Sequence, residues 1–145
     1  MTIRLGFMAG LICLAGCAAT PPVLNLHLGG EQIDLKQYLK DRPIPKGQGS
    51  RVDRIASGPS TSVHLVQLRV SERPHLHARH DLRVVVVRGS GTMVIDGKTI
   101  LAAVGSVFEI ERGTPHFFLV GRGAAALVTF TPPYDGNDWV AVESK

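Results

Sequence analysis

Cysteine is scarce in this chain of 145 residues. The two cysteines, Cys13 and Cys17, both lie within the first 17 positions. Two cysteines so close to the start provide no disulfide framework for the rest of the chain. Residues 18–145 also have no thiolate nucleophile, so cysteine-based catalysis is excluded there.

Blocks of positive charge are missing too. The net charge is +4, but the basic residues are scattered and form neither a Lys/Arg run nor a stripe interleaved with aromatics. Nucleic acid is therefore not an expected partner. With 44% hydrophobic and 19% charged residues, the composition is that of a globular protein. A chain of this length fits one domain with a substantial core.

No apolar run near the N-terminus is long enough to remain as a membrane-spanning helix. The run from Leu5 to Leu14 follows Arg4 and is succeeded by small residues, which predicts a signal peptide over residues 1–16. The segment Leu14–Cys17, "LAGC", resembles a bacterial lipobox. That resemblance implies cleavage before Cys17, lipidation of Cys17 with acyl chains such as palmitate, and attachment to a membrane. The alternative is a plain signal peptide with a chance cysteine.

The residue after this cysteine bears on location. Ala18 stands there, and no aspartate does. In lipoproteins of bacteria with two membranes, this pattern implies sorting to the outer membrane, on the side facing the periplasm. The expected location is therefore the cell envelope.

Residues 17–50 are expected to form a lipidated tether and an N-terminal extension. Pro21-Pro22 and Gly29-Gly30 argue against regular structure over residues 18–30. The stretch "DLKQYLKDRP" predicts a short helix with Asp34 as N-cap and Pro43 as its stop. A strand over "EQIDL" is the alternative.

Residues 51–145 are predicted to form one all-β domain. About eight short β-rich runs alternate with turn signals, and Asp96-Gly97 is a strong two-residue hairpin signal. Turns are also expected at "RGSG" (88–91) and "GRG" (121–123). This pattern predicts an antiparallel barrel or jelly roll. The stretch "PPYDGNDW" is expected to close one end of it.

The densest chemistry lies in "PHLHARHD", residues 74–81. In a strand, residues i and i+2 face the same side, so His75 and His77 project together. Two neutral imidazoles placed in this way form half of a site for zinc, iron, copper or nickel. His64, on the strand before this stretch, faces either the barrel interior or the surface.

The histidine pair does not stand alone, because "GSVFEIERGTPH" follows and ends at His116. The two stretches resemble the two signature motifs of the cupin superfamily, G-x5-HxH-x3,4-E-x6-G and G-x5-PxG-x2-H-x3-N. The matching positions are His75, His77 and Gly89 in the first motif, and Gly105, Gly113 and His116 in the second. The resemblance implies a single cupin β-barrel, and it implies a divalent metal (Fe, Mn, Zn or Ni) held by three histidines. Some cupins without the glutamate bind iron in this way, whereas others have lost the metal.

The chain departs from the family pattern at the carboxylate. Counting forward from His77 reaches Asp81, whereas counting back from Gly89 reaches Leu82. In "DLRVVVVR" the face of Arg83 is expected to point outward, which turns Asp81 away and Leu82 inward. Asp81 and His80 are nevertheless kept as alternative ligands, since the turn after His77 could redirect them.

Other departures concern loop and strand-end positions. Arg69, Glu111 and Val120 stand where the motifs have glycine, proline and asparagine. The fold does not name the activity, because cupins include enzymes and binding proteins. Three functions stay open: a metal-dependent small-molecule enzyme, a non-catalytic module binding a ligand or metal, and a structural envelope protein. The expected partners are a membrane and an unidentified small molecule, with a homodimer left open.

Overall fold

The computed structural model describes residues 24–28 and 30–143. The predicted signal peptide and the lipidation site at Cys17 lie outside them. The described chain is mostly β-structure with one short helix, α1 (Leu35–Asp41), which confirms the all-β prediction. The strands are β1 (Asn25–Leu28), β2 (Glu31–Asp34), β3 (Ser50–Ser57), β4 (Ser62–Leu68), β5 (His75–Leu76), β6 (Asp81–Ile95), β7 (Lys98–Ala103), β8 (Val107–Ile110), β9 (His116–Thr131) and β10 (Val140–Ala141).

Eight of these strands form one curled antiparallel sheet. Its path runs β10-β5-β9-β4-β3, and β6 pairs with β7, β8 and β9. The two longest strands, β6 and β9, pair along most of their length, from Asp81↔Thr131 to Ile95↔His116. Their length lets one pair of strands contribute to both ends of the barrel.

The breaks expected at "RGSG" and "GRG" are wrong, because both segments continue their strands. The pairing of β6 with β9 shifts register three times between Val86 and Gly91, so the strand bends without ending. Gly89 lies at this bend with φ of +76°. A Cβ at Gly89 would collide with the backbone oxygens of Arg122 and Gly123, so the close approach requires glycine.

The structure confirms the hairpin predicted at Asp96-Gly97, which connects β6 and β7. Asp96 and Gly97 have φ of 48° and 73°, as a two-residue turn between twisted strands requires. The hairpin pairs Ile95 with Lys98. The backbone N–H of Asp96 donates to the Pro115 carbonyl, which fixes the turn beside the start of β9.

The N-terminal extension has more structure than expected. Strand β1 lies within the stretch predicted to be irregular, and it pairs with β2. Helix α1 follows β2 directly, so the helix and the strand weighed for this region are both present. Asp34 caps the helix by accepting from the Gln37 backbone N–H at 3.0 Å, as predicted.

The core has two parts, one on each side of the sheet. On the outer side, Leu35 and Leu39 of α1 pack with Leu65 and Ala125, which attaches the extension to the barrel. Burying each leucine contributes about 1.5–3 kcal/mol. A larger buried set lines the interior of the barrel and includes Leu82, Val84, Val86, Met93, Phe108, Phe118 and Phe130. Of the described helices, none has the length and apolar character needed to cross a membrane.

Candidate metal-binding site

Three of the predicted residues, His75, His77 and His116, meet at one end of the barrel. His75 and His116 are direct cross-strand partners on β5 and β9, and His77 follows two positions after His75. All three side chains are buried, and one ring nitrogen from each lies within 4.8 Å of the others. Strand pairing therefore joins the two motifs that the sequence separates by forty residues.

The hydrogen bonds of these rings fix which nitrogen is available. Nδ1 of each ring faces a backbone carbonyl: Arg73 O for His75, Asp138 O for His77 and Thr114 O for His116. A carbonyl oxygen only accepts, so each Nδ1 carries the proton and donates. In a neutral ring with this tautomer, Nε2 keeps an unprotonated lone pair, the state that a metal ligand requires.

Burial also keeps two of the rings, those of His77 and His116, neutral. It lowers the pKa of His77 to about 4, even though the bond to the Asp138 carbonyl favours the protonated form. Burial likewise lowers the pKa of His116 to about 4, against the opposing effect of the Thr114 carbonyl. At neutral pH these two rings therefore do not need to lose a proton before they can bind a cation.

The C-terminal loop packs over this cluster, as expected for "PPYDGNDW". Trp139 stacks on His75 with ring centroids 5.2 Å apart and an interplanar angle of 20°. Tyr134 meets His77 edge-on at 5.6 Å. Strand β10 extends the contact, since it pairs Ala141 with His75. The end of the described chain is thus part of the wall around the histidines.

His80 is neither a member of the cluster nor a solvated turn residue. The residue is 2% exposed, and Nδ1 donates to the carboxylate of Asp138. The other nitrogen, Nε2, lies 3.4 Å from the Pro133 carbonyl oxygen. Its ring nitrogens therefore lie against the C-terminal loop and are not among the clustered nitrogens of His75, His77 and His116.

Asp138 organises the turn that carries these histidines. Its carboxylate accepts from the backbone N–H groups of Ala78 and Arg79 as well as from His80. Burial opposes ionisation of this carboxyl, but these bonds, with the His80 bond foremost, outweigh it and lower the pKa of Asp138 to about 2. Since its carbonyl also accepts from His77, Asp138 holds both a candidate ligand and the turn that follows it.

Asp81 lies outside the cluster, on the outward face that the count from Gly89 predicted. Its carboxylate accepts three hydrogen bonds from Arg112, one from the backbone N–H and two from the guanidinium. Those bonds lower the pKa of Asp81 to about 2. The neighbouring Leu82, Val84 and Val86 are buried and Arg83 is exposed, as the face argument requires.

A cavity of about 370 Å³ opens onto the three histidines. Its wall is mainly apolar and includes Val66, Leu68, Leu82, Val84, Met93 and Phe118. His64 also lines the cavity, which settles the direction that the sequence left open; its Nε2 bonds the Ser62 hydroxyl at 2.9 Å. Burial, with Arg54 adding to the effect, lowers the pKa of His64.

One half-buried carboxyl group shares this cavity. Glu72 lies on the segment before β5, and its Oε2 accepts from the backbone N–H of Phe118 at 2.9 Å. Burial raises the pKa of Glu72, and the influence of His75 and the bond from Phe118 oppose that rise. The cavity therefore joins a polar end, where the histidines and Glu72 lie, to an apolar body.

Comparison with known proteins identifies the family. A family model described as "Cupin domain" matches residues 63–131, the stretch that holds all three clustered histidines. The chain belongs to the cupin superfamily. It is 32% identical over 113 residues to an uncharacterized protein of Aquifex aeolicus (strain VF5), an alignment that covers 76% of this chain and 91% of that protein.

Several solved structures share the fold. KdgF from a Halomonas species is 21% identical, with a TM-score of 0.60 over 66% of this chain and 93% of its own. Pac13, a nucleoside dehydratase from Streptomyces, is 18% identical, with a TM-score of 0.57 over 66% and 79% of the two chains. At these identities the likeness supports the fold alone.

Several residues around the site escaped sequence reasoning. Glu72 and Asp138 are ordinary acidic residues outside both cupin motifs. Trp139 and Tyr134 lie in the predicted closing loop, but no spacing rule relates that loop to His75 or His77. The only available signal was the loop's placement after the last strand, which indicates proximity to a barrel end and names no contact.

Proposed function

We propose that this cupin binds a divalent transition metal through Nε2 of His75, His77 and His116. The observation that carries the proposal is the shared hydrogen-bond pattern, in which every Nδ1 donates to a backbone carbonyl and every Nε2 is left open. The donor set fits, since three neutral imidazoles suit Zn, Fe, Ni or Cu, and Mn also stays open. Hard cations such as Mg and Ca prefer oxygen ligands.

The metal would serve to bind a small molecule in the cavity. Three protein ligands leave a four-coordinate ion one open position, and a six-coordinate ion three. Bound there, a divalent metal would act as a Lewis acid toward a ligand oxygen. The chain's own contribution is to present the three lone pairs, to exclude bulk water with apolar walls and to hold the ligand body.

Catalysis is the second candidate, and the open coordination positions favour it, because purely structural metal sites are usually closed by four protein ligands. The cupin fold alone does not distinguish an enzyme from a binding module. A binding module and an enzyme would share the metal and the cavity, and would differ in whether product forms.

Metal binding can be followed through Trp139, the only tryptophan in the sequence, which stacks on His75. Titration of the metal-free domain with Zn²⁺, Co²⁺ and Ni²⁺ should change its fluorescence at one equivalent, with quenching by Co²⁺ and Ni²⁺. His77→Ala and His116→Ala should abolish the change, while His27→Ala, on exposed β1, should not. Elemental analysis showing no metal in the purified protein, together with no response in the titration, would overturn the proposal.

A second experiment separates the two candidates. The metal-loaded domain is incubated with small carbonyl and thiol compounds, and product formation and melting temperature are both measured. A binding module should show a rise in melting temperature without product. An enzyme should show turnover that is lost in His116→Ala. Turnover that survives that substitution would count against a role for the metal site.

We also propose that the chain is anchored in the envelope by lipid on Cys17, with the domain facing the periplasm. The "LAGC" segment after a short apolar run supports this. Mass spectrometry of the processed N-terminus should find acylated Cys17, and Cys17→Ser should release the protein from membranes, since stable anchoring takes more than one chain. An intact Met1 on the cellular protein would contradict the proposal.

A further inference from the structure

Glu72 is held so that only one of its two carboxylate oxygens is used by the protein. Its backbone N–H donates to the Phe118 carbonyl at 2.9 Å, and its Oε2 accepts from the Phe118 N–H at 2.9 Å. These two bonds clamp the residue to β9 from both its backbone and its side chain. The orientation of the carboxyl group is therefore fixed by the fold.

The other oxygen, Oε1, has no partner among residues 24–28 and 30–143. No hydrogen bond reaches it, and Glu72 takes part in no ion pair with a described residue. Every fully buried side-chain polar atom in the described chain does have a partner. Oε1 is therefore accessible, and Glu72 is one of the residues that line the cavity.

The surroundings make this oxygen a strong recognition point. The cavity wall is mostly apolar, so a hydrogen bond formed inside it competes with little water. Arg73, the one lysine or arginine in the lining, is exposed, and in the described chain its guanidinium forms no ion pair with Glu72. A ligand that fills the cavity without a donor for Oε1 would leave a desolvated carboxylate unpaired, which is costly.

We propose that Glu72 determines specificity in this cavity by accepting a hydrogen bond from a ligand hydroxyl through Oε1. The class of ligand is a small alcohol, or a compound whose metal-binding oxygen is accompanied by a hydroxyl, on an otherwise apolar skeleton. The proposal rests on the proposed function in that the cavity is the ligand site, but the Glu72 bond itself does not require the metal.

The test uses two probes that share a ring and differ in donor ability, cyclohexanol and cyclohexanone. Calorimetric titrations at pH 8 are run on the metal-free protein in a chelator and again with Zn²⁺. The wild-type protein should prefer the alcohol by about tenfold in both conditions, the size expected for a hydrogen bond to a charged acceptor. Equal binding of the two probes, or binding of neither, would overturn the proposal.

Two substitutions locate the preference. In Glu72→Gln the amide oxygen can still accept from the Phe118 N–H, which leaves the NH2 group facing the cavity and turns an acceptor into a donor. The preference for cyclohexanol should then disappear or reverse. Glu72→Met, which keeps the length but removes all polarity, should bind both probes alike. Glu109→Gln, on the exposed face of β8, should retain the wild-type ratio.

The outcomes separate this proposal from the metal site. Loss of the alcohol preference in Glu72→Gln with normal Zn²⁺ binding supports the role of Glu72. A normal preference in the metal-free protein that binds no Zn²⁺ would leave Glu72 supported and refute the metal site. Glu72→Gln with an unchanged ratio would refute the role of Glu72 whatever the metal does.

Discussion

The five buried histidines of this cupin divide into two groups with the same burial and different partners. In His75, His77 and His116, Nδ1 donates to a backbone carbonyl and Nε2 is open. His64 uses its Nε2 on the Ser62 hydroxyl, and His80 places both nitrogens against oxygen acceptors. A buried histidine is therefore a candidate metal ligand only when one ring nitrogen has no hydrogen-bond partner and lies close to the free nitrogens of other histidines.

The two groups are also held differently. All three carbonyls that orient the cluster belong to the backbone: those of Arg73 and Thr114 lie just before β5 and β9, and that of Asp138 lies in the C-terminal loop. His64 bonds the Ser62 hydroxyl, whereas the Nδ1 of His80 bonds the Asp138 carboxylate and its Nε2 faces the Pro133 carbonyl, both in the C-terminal loop. This difference predicts that substitutions in the first group change metal binding, whereas substitutions around the second group change mainly stability.

The largest expected effect is on metal affinity in the cluster. His77→Ala should lower Zn²⁺ affinity by about 100-fold or more, because two imidazoles cannot replace three. His64→Gln should stay within about threefold of wild type, since that ring is not among the clustered ligands. Calorimetric Zn²⁺ titration of both variants is the measurement. Equal losses in the two variants would break the distinction between the groups.

The next effect concerns Asp138, which connects the two groups. Asp138→Ala removes the acceptor for His80 and for two backbone N–H groups, so it should lower the free energy of unfolding by about 3–5 kcal/mol. The backbone carbonyl that orients His77 is retained, so Zn²⁺ affinity should fall only about tenfold. Asp135→Ala, an exposed acid in the same loop, serves as the control. Urea unfolding and Zn²⁺ titration give the two quantities.

The opposite result, in which Asp138→Ala affects Zn²⁺ binding and not stability, would contradict this prediction. If Asp138→Ala left stability unchanged and abolished Zn²⁺ binding, the loop would act on the site directly and not through the turn at His80. That outcome would place Asp138 with the metal ligands.

A smaller effect should appear in how the free energy of unfolding of the metal-free protein depends on pH. The pKa of His77 and of His116 is about 4 in the folded chain and near 6.5 when unfolded. Between these values the unfolded chain binds protons that the folded chain does not, so stability should fall as the pH drops from about 6.5 to 4. The slope is at most about 1.4 kcal/mol per pH unit for each ring.

Urea unfolding in a chelator at pH 7, 5.5 and 4.5 would show this slope, and His116→Asn should make it shallower. Asp138 does not contribute in this window. Its pKa is lowered to about 2, so its stabilising contribution is present above about pH 3.8 and is lost only as the pH falls through 2. A slope that is the same in His116→Asn would show that this ring is not held neutral by burial.

Much of the fold could be predicted from the sequence because its signals are local. Alternation of apolar residues, the Asp96-Gly97 turn and the Asp34 cap each depend on residues within a few positions. The expected breaks at 88–91 and 121–123 failed for a physical reason. Glycine favours turns, but in β6 Gly89 instead allows a bulged strand to approach its neighbour closely, and only the partner strand shows which applies.

The candidate site was predictable where strand parity or a spaced motif applied. The i, i+2 relation of His75 and His77 and the outward face of Asp81 are geometric consequences of a strand. The resemblance to the cupin motifs added His116. The partners of His80, the free oxygen of Glu72 and the stacking of Trp139 depend on contacts between segments far apart in sequence, which no local pattern encodes.

The smallest expected effect is at Asp81, where the count of strand faces can be tested directly. Asp81 is bonded to Arg112 in the turn before His116, so its loss touches the site only through that turn. Asp81→Asn keeps an acceptor for the Arg112 N–H, and Zn²⁺ affinity should stay within about twofold, less than a partner directly bonded to a ligand would cost. Arg112→Gln removes the other member of this ion pair, and its Zn²⁺ affinity should stay within the same range. If Asp81→Asn lowered Zn²⁺ affinity as far as His77→Ala while Arg112→Gln did not, the carboxylate would leave its arginine to join the metal. The site would then be a three-histidine, one-carboxylate centre.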